Sequence, residues 1–414
     1  MTTRTPGMPI RPLAARALAI VLVAAGLFGY LLAYRAPVRH AALVSCGALA
    51  ALLAIWGAEI LLHGAAPPPD RPKGDSFDWG MHAFRGFAIL CIALMHALSG
   101  FGFHKWTQAF LSSSTIYFLF ISGYLCQHLH SRRPDSPAAY YRKKLLNVIL
   151  PYLAMSVATA VLVRATGALR PGLLAPADYT LREFPRILLF GWAQPQYWYV
   201  PFVAVLFAVS PALVRTGDRT LVRISALAFA LLLVFPSRGG WKITPETKTI
   251  LCKFSYFTFY YLAGFLFARF RRLLEPHLKA YALPGLLLGL FLGLTVLFPD
   301  WFGPYVVRGA QHRSLQKLFF LVPLLWAATR CRSRPTPLLG AFADYSFAIF
   351  FLHHFFIADF VRLRDALLRA AAGIPCAGPA ANVAAILLFI AFSLALAMLL
   401  KRATGRWSRS LTGA

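Results

Sequence analysis

The sequence predicts an all-α polytopic membrane helix bundle of about twelve transmembrane helices. Of the 414 residues, 59% are hydrophobic and 14% are charged, and the mean hydropathy is +0.63. These values are typical of membrane proteins with several spans rather than of soluble domains. The Lys and Arg residues, which give a formal net charge of +28, occur in short clusters between the apolar runs, as in loops beside anionic lipid headgroups.

The first two helices are predicted at about residues 13–34 and 40–63, so residues 1–64 form an N-terminal pair of transmembrane helices. Arg4, Arg11 and Arg16 precede the first run as in a signal peptide. That run is too long for a signal-peptide core, so a retained helix is expected. Residues 65–78 are rich in Pro and charge and have nothing to bury, which predicts a cytoplasmic linker.

Ten further apolar runs predict a membrane domain over residues 79–402, followed by a cytoplasmic tail at 403–414. An even number of spans places both termini on one side. If that side is the cytoplasm, the main basic clusters also fall inside, as the positive-inside rule prefers. We therefore expect a multi-pass inner-membrane protein with both termini cytoplasmic. The runs lie at about 82–102, 108–130, 144–166, 196–214, 220–236, 251–269, 281–298, 315–330, 338–361 and 380–400.

Composition and motif spacing argue against several function classes. There is no soluble basic domain of the kind that binds nucleic acid. The six Cys residues are scattered singly without metal-ligand spacing, and no HExxH, Walker or GxGxxG pattern occurs. The sequence therefore predicts no metal site and no bound cofactor. Any chemistry is expected inside the helix bundle, and the lipid bilayer is expected to surround the bundle as a partner.

Arg85 and His96 stand out because they lie in the same apolar run. Eleven residues of α-helix turn through about 1100° and rise about 16 Å, which puts the two side chains on one face. An ionisable residue inside a membrane helix is a functional candidate. Imidazole suits general base catalysis near neutral pH. The alternatives are a His packed in the bundle with one hydrogen bond, and an Arg that anchors the helix at the membrane surface.

Five motifs in order resemble the acyltransferase-3 family of integral-membrane sugar acyltransferases. An Arg that is followed by Gly and, after ten intervening residues, by His is similar to the family's first motif. This sequence departs from the family at His82, where an Asp is often found, and at Asn147, where a second basic residue is common. The motifs are Arg85 to His96, FLFISGYL at 118–125, YYRKKLLNVILPY at 140–152, QYWYVP at 196–201 and SFAIFFLH at 346–353.

The resemblance implies an O-acyltransferase that uses cytoplasmic acyl-CoA, most simply acetyl-CoA, as cosubstrate. The acceptor would be a hydroxyl of a glycan or lipid-linked sugar in the cell envelope, as in polysaccharide O-acetylation. His96 would be the general base, and Arg85 would contact the donor. Arg142, Lys143 and Lys144 are candidates to extend an electropositive donor site, with a solvated basic cluster as the alternative.

Four more residues are candidates to line the site. Ser122 and Tyr124 could donate to a developing oxyanion, although a Ser-Gly pair also serves close helix packing. Trp198 could stack on a sugar ring or belong to an interfacial aromatic belt. His353, or its neighbour His354, could line the cavity of His96 or pack in the core. The rival function is a transporter or flippase-like protein for a glycan or lipid, without acyl transfer.

Overall fold

The computed structural model describes residues 77–103, 107–132, 136–166, 175–234, 245–298, 310–331, 335–370, 377–411 and 413. The predicted N-terminal helix pair and nearly all of the predicted linker lie outside the described residues. Within these ranges the regular structure is entirely helical, with no strand. The all-α prediction is therefore confirmed for the part of the chain that is described.

Fifteen α-helices occur in the described residues, joined by π-helical and 3₁₀ turns. They are α1 Trp79–Gly100, α2 Thr115–Arg132, α3 Pro137–Lys144, α4 Leu150–Thr166, α5 Phe184–Phe190, α6 Tyr199–Arg215, α7 Asp218–Val234, α8 Pro245–Arg269, α9 Arg271–Leu297, α10 Ala310–Arg330, α11 Pro337–Asp344, α12 Ser346–Leu352, α13 Ile357–Ala370, α14 Ala377–Thr404 and α15 Ser408–Leu411.

Seven helical segments of the described chain are long and apolar enough to cross a membrane. The protein is therefore a multi-pass membrane protein. The other three apolar runs predicted after residue 78 form α6, α7 and α10, so the total of about twelve spans stays a prediction. The seven segments are Trp79–Gly100, Ala109–Arg132, Pro137–Ala165, Ile250–Arg269, Arg271–Leu297, Ser346–Ala370 and Ala380–Thr404.

Helix α1 is the central element of the bundle. It begins after Asp78, whose side chain accepts a hydrogen bond from the Met81 amide at 3.1 Å and so caps the helix. Its apolar side chains are almost all buried, and it packs against α2, α10, α11, α12, α13 and α14. Because α1 is surrounded by other helices, its polar side chains meet protein groups as well as lipid.

Helices α2 and α8 make an especially close contact through two glycines. A Cβ on Gly123 would overlap the Tyr261 carbonyl oxygen, and a Cβ on Gly264 would overlap the Phe120 carbonyl oxygen. The two backbones therefore approach more closely than any larger residue would allow, as in other membrane helix pairs. Gly123 serves helix packing here.

Two interruptions in the helices bring polar groups into the bundle. A π-helical turn, Thr107–Leu111, is followed by three serines before α2 begins, and Ser113 has a positive φ of 70°. Its Oγ lies 2.9 Å from the Tyr256 hydroxyl. The second interruption, a 3₁₀ turn at His353–Phe356, separates α12 from α13. Non-helical backbone at membrane depth is tolerated where protein surrounds it.

Candidate functional site

Three histidines meet where α1 approaches the 3₁₀ turn after α12. The ring centroid of His96 lies 5.1 Å from that of His353 and 5.2 Å from that of His354. His353 is fully buried, whereas His96 and His354 are partly buried. The structure thus brings together three histidines that the sequence singled out.

The hydrogen bond of His353 fixes its tautomer. Its Nδ1 lies 2.8 Å from the Ile349 carbonyl oxygen, and because a carbonyl can only accept, Nδ1 must carry the proton. In the neutral ring, Nε2 is then an acceptor with a lone pair. This buried Nε2 has no hydrogen-bond partner among the described residues. His353 therefore presents an unused acceptor within the three-histidine cluster, formed by His96, His353 and His354.

Arg85 lies six residues into α1 and is held by a chain of polar contacts. Its Nη2 donates to His82 Nδ1 at 3.4 Å, and His82 Nε2 lies 3.3 Å from Asp344 Oδ1 at the end of α11. Because His82 Nδ1 accepts, its Nε2 is the nitrogen that donates to the carboxylate. His82 thus links Arg85 to Asp344, while Asp78 provides the helix cap.

Arg85 and His96 both lie beside the segment 337–356. Arg85 is linked to it through His82 and Asp344, and His96 contacts it at His353. Helix α1 is continuous between them, so they are separated by about 16 Å along its axis. His96 lies near the Gly100 end of the helix. An elongated ligand would therefore be needed to reach both side chains at once.

The basic residues after Tyr141 lie in different environments. Arg142 and Lys143 are exposed, whereas Lys144 is partly buried. The Lys144 ammonium lies 4.0 Å from the centroid of the Phe207 ring and 5.3 Å from that of Tyr140. Of these three predicted donor contacts, Lys144 is the one that turns into the bundle.

A family model described as an acyltransferase domain matches residues 78–402. The match covers most of the chain and includes every helix from α1 to nearly the end of α14. The chain belongs to the acyltransferase-3 family. No curated protein and no solved structure matches it. The protein is a membrane acyltransferase, as the five motifs indicated, and its substrates are an acyl donor and an acyl acceptor.

Ser122 and Tyr124 lie in different polar environments of this acyltransferase. The Ser122 Oγ is 3.3 Å from the Tyr199 hydroxyl, and the Tyr199 ring packs against Phe350 in α12. The Tyr124 hydroxyl instead donates to Asp78 and accepts from Arg271. Since Asp78 caps α1, that cluster lies about 27 Å along the helix axis from His96. The structure does not bring the Tyr124 hydroxyl to His96.

Trp198 is packed against neighbours of its own. Phe257 stacks on its ring with centroids 4.9 Å apart, and the Lys253 ammonium lies 3.6 Å from the ring centroid. A sugar ring would have to displace one of these groups in order to stack there. The residues on either side of Trp198 brace α12, because Tyr197 donates to the Phe351 carbonyl oxygen and Tyr199 packs on Phe350.

The acyltransferase structure places three further residues at or beside these groups, none of which was assigned a role from the sequence. Asp344 completes the chain from Arg85. Gln196 Nε2 lies 3.4 Å from the Phe350 carbonyl oxygen, and its buried Oε1 has no hydrogen-bond partner among the described residues. Arg409, in α15, lies within electrostatic range of Arg85. Gln196 begins the QYWYVP motif and Asp344 lies just before SFAIFFLH, but Arg409 lies beyond the family domain.

No group of three or more His, Cys, Asp or Glu residues is arranged to hold a metal ion in the part of the chain that is described.

Proposed function

We propose that the protein is an O-acyltransferase that moves an acyl group, most simply acetyl, from acyl-CoA to a hydroxyl of a glycan or lipid-linked sugar. The family supplies the acyl-transfer class. The observation that supports the assignment of roles is that His96, beside His353, shares α1 with Arg85 about 16 Å away. No bound cofactor is part of this proposal, since acyl-CoA acts as a cosubstrate.

The two positions match the two ends of an acyl-CoA. Its phosphates are anionic and its thioester lies at the far end of a long pantetheine arm. A guanidinium suits phosphate because its planar N–H groups match the phosphate oxygens. An imidazole suits the thioester end, where the acceptor hydroxyl must lose a proton to a base. Arg85 therefore contacts the phosphate or pantetheine portion, and His96 lies at the thioester.

In the reaction, His96 accepts the proton of the acceptor hydroxyl while the oxygen forms a bond to the thioester carbon. The carbon–sulfur bond then breaks, and the thiolate takes the proton back from the imidazolium to leave as CoA thiol. One ester is formed for each thioester consumed. His353 Nε2, an unused acceptor in the three-histidine cluster, is placed to hold the hydroxyl or share the proton.

The orientation of the protein follows from the positive-inside rule. Arg85, Lys144 and the predicted tail then lie towards the cytoplasm, where acyl-CoA is made, and the protein occupies the inner membrane with both termini cytoplasmic. The Gly100 end of α1, near His96, lies towards the other face. The donor therefore enters from the side of Arg85.

The experiment that separates this function from transport uses purified protein in liposomes with radiolabelled acetyl-CoA and a panel of envelope glycans. Acyl transfer predicts release of CoA thiol and label in the acceptor, in equal amounts. Uptake of a glycan into the vesicles without release of CoA thiol would instead support a transporter, and would contradict the proposal.

A further inference from the structure

The segment after α14 folds back against the bundle. A 3₁₀ turn at Gly405–Trp407 leads into α15, and α15 packs against α4 and the π-helical turn Leu145–Ile149. Ser408 is buried, with 5% of its surface exposed, and Gly413 lies against Phe347 in α12. This segment is therefore docked beside Lys144 and against α12, the helix that leads into the turn of His353. It lies beyond residue 402, where the family domain ends.

Arg409 in this segment joins two cations that come from distant parts of the chain. It lies in α15, which packs against the π-helical turn that begins directly after Lys144, and its charge acts on both Arg85 and Lys144. Arg85 and Lys144 are partly buried, whereas Arg409 is exposed, so the repulsion between these like charges is greatest where water is removed. An anion bound among the three cations would relieve this repulsion.

The described protein groups balance this charge only in part. Asp344 lies within electrostatic range of Arg85, but its carboxylate also pairs with His82. The contacts described for the Lys144 ammonium are with the faces of aromatic rings. Arg85 Nε is buried and has no hydrogen-bond partner among the described residues. A guanidinium N–H of Arg85 is thus left over at this end of the site.

We propose that α15 completes the donor site, and that Arg409 binds the phosphates of acyl-CoA together with Arg85 and Lys144. This inference rests on the proposed function, since it names the part of the donor that this end of the site binds. Three positive side chains suit a group with several phosphate charges. Their place at the Arg85 end, away from His96, matches a donor whose phosphates are remote from its thioester.

Phosphate chemistry is shared by acyl-CoA and by anionic lipid headgroups, and substrate comparison distinguishes them. The test measures initial rates for the wild type, Arg409→Ala and the conservative Arg409→Lys. Arg402→Ala serves as the matched control, because Arg402 is an exposed Arg in the last turn of α14. Each protein is assayed with acetyl-CoA and with acetylpantetheine, a thioester that has no phosphate.

We expect Arg409→Ala to raise the KM for acetyl-CoA about tenfold, as for a lost charge-assisted hydrogen bond, with little change in kcat. Arg409→Lys should recover part of the loss. With acetylpantetheine as donor, wild type and Arg409→Ala should have the same KM. This donor lacks the phosphates that Arg409 contacts, so the substitution has no interaction left to remove. An unchanged unfolding midpoint shows that the fold is intact.

Two results would overturn the inference. One is a KM for acetyl-CoA in Arg409→Ala equal to that of Arg402→Ala, as expected if the residue served a lipid headgroup. The other is a rise in KM caused by Arg409→Ala that is as large with acetylpantetheine as with acetyl-CoA, as expected of a purely structural effect. Failure of the proposed function looks different: the wild type would then neither bind CoA in a calorimetric titration nor release thiol from either thioester.

Discussion

The imidazole ring centroids of His96 and His353 lie 5.1 Å apart, although His96 belongs to α1 and His353 to the 3₁₀ turn that follows α12. His353 is oriented by the Ile349 carbonyl, so its Nε2 is an acceptor within the three-histidine cluster. A hydroxyl that approaches His96 therefore meets two imidazoles. The predictions below follow from this arrangement and from the contacts that hold it in place.

The acceptor nitrogen of His353 can be tested with two amide substitutions. In His353→Asn the amide N–H can replace Nδ1–H towards Ile349, but nothing replaces Nε2. In His353→Gln the longer side chain places a polar group near the Nε2 position. If Nε2 takes part in proton transfer, we expect His353→Asn to lower kcat by at least about tenfold and to shift the pH profile of kcat, with a smaller loss in His353→Gln.

Equal activity of His353→Asn and wild type would show that the buried Nε2 has no part in the reaction. His354→Asn is the matched control for the neighbouring ring. Its expected effect is smaller, since the buried Nε2 without a hydrogen-bond partner among the described residues belongs to His353.

Asp344 is predicted to position Arg85 through His82. Asp344→Asn removes the carboxylate charge and weakens the orientation of His82, so the KM for acyl-CoA should rise about threefold to tenfold while kcat changes little. Steady-state kinetics with the donor varied provide the measurement. Asp359→Asn is the control, because Asp359 pairs with Arg362 in α13 at 3.7 Å. A loss in kcat alone would argue against a positioning role.

The close contact of α2 and α8 gives a stability prediction. Gly123→Ala places a methyl group against the Tyr261 carbonyl oxygen, so the helices must separate. We expect a free energy of unfolding lower by about 1–3 kcal/mol, measured as a fall in the unfolding midpoint in detergent. Gly217→Ala is the control, since a Cβ at Gly217 meets nothing within 4 Å. A midpoint of Gly123→Ala equal to that of Gly217→Ala would contradict the close packing.

Asp78, which lies just before α1, gives a pH prediction. Burial would raise its pKa, but the Arg271 charge, the Tyr124 hydroxyl and the Met81 amide outweigh burial and hold the pKa below its ordinary value of 3.8. A carboxyl whose folded pKa is lowered stabilises the fold above its unfolded pKa, and this stabilisation is lost as the pH falls through the folded pKa. The window therefore lies below about pH 4.

Asp78→Asn should accordingly lower the free energy of unfolding by about 2 kcal/mol at neutral pH and by less near pH 3. Thermal unfolding in detergent at both pH values is the measurement. The same difference between wild type and Asp78→Asn at both pH values would show that the carboxylate charge does not contribute.

The helices after residue 78 could be predicted from the sequence for a physical reason, and the same reason made Arg85 and His96 candidates. Long apolar runs must form helices in lipid, and an Arg and a His inside such a run are conspicuous because their burial is costly. The ten runs predicted after residue 78 all correspond to described helices. The family, indicated by five motifs in order, is confirmed by the match over residues 78–402.

Contacts between distant segments could not be predicted in the same way. The 3₁₀ turn that brings His353 and His354 to His96 has no strong local signal, since the surrounding FFLHHFF is simply apolar. The pairing of Tyr124 with Arg271 and Asp78 also depends on how three helices meet at one end. Arg409 is ordinary in sequence, and only the folding back of α15 brings it near Arg85 and Lys144.

The proposed role of His96 as general base is tested most directly by the rate at which purified protein releases CoA thiol from acetyl-CoA in the presence of an acceptor. His277, an exposed His in α9, provides the control. We predict that His96→Ala lowers this rate by about 10²–10⁴-fold with an unchanged unfolding midpoint, while His277→Ala behaves as wild type. Release of thiol by His96→Ala at the wild-type rate would contradict the account.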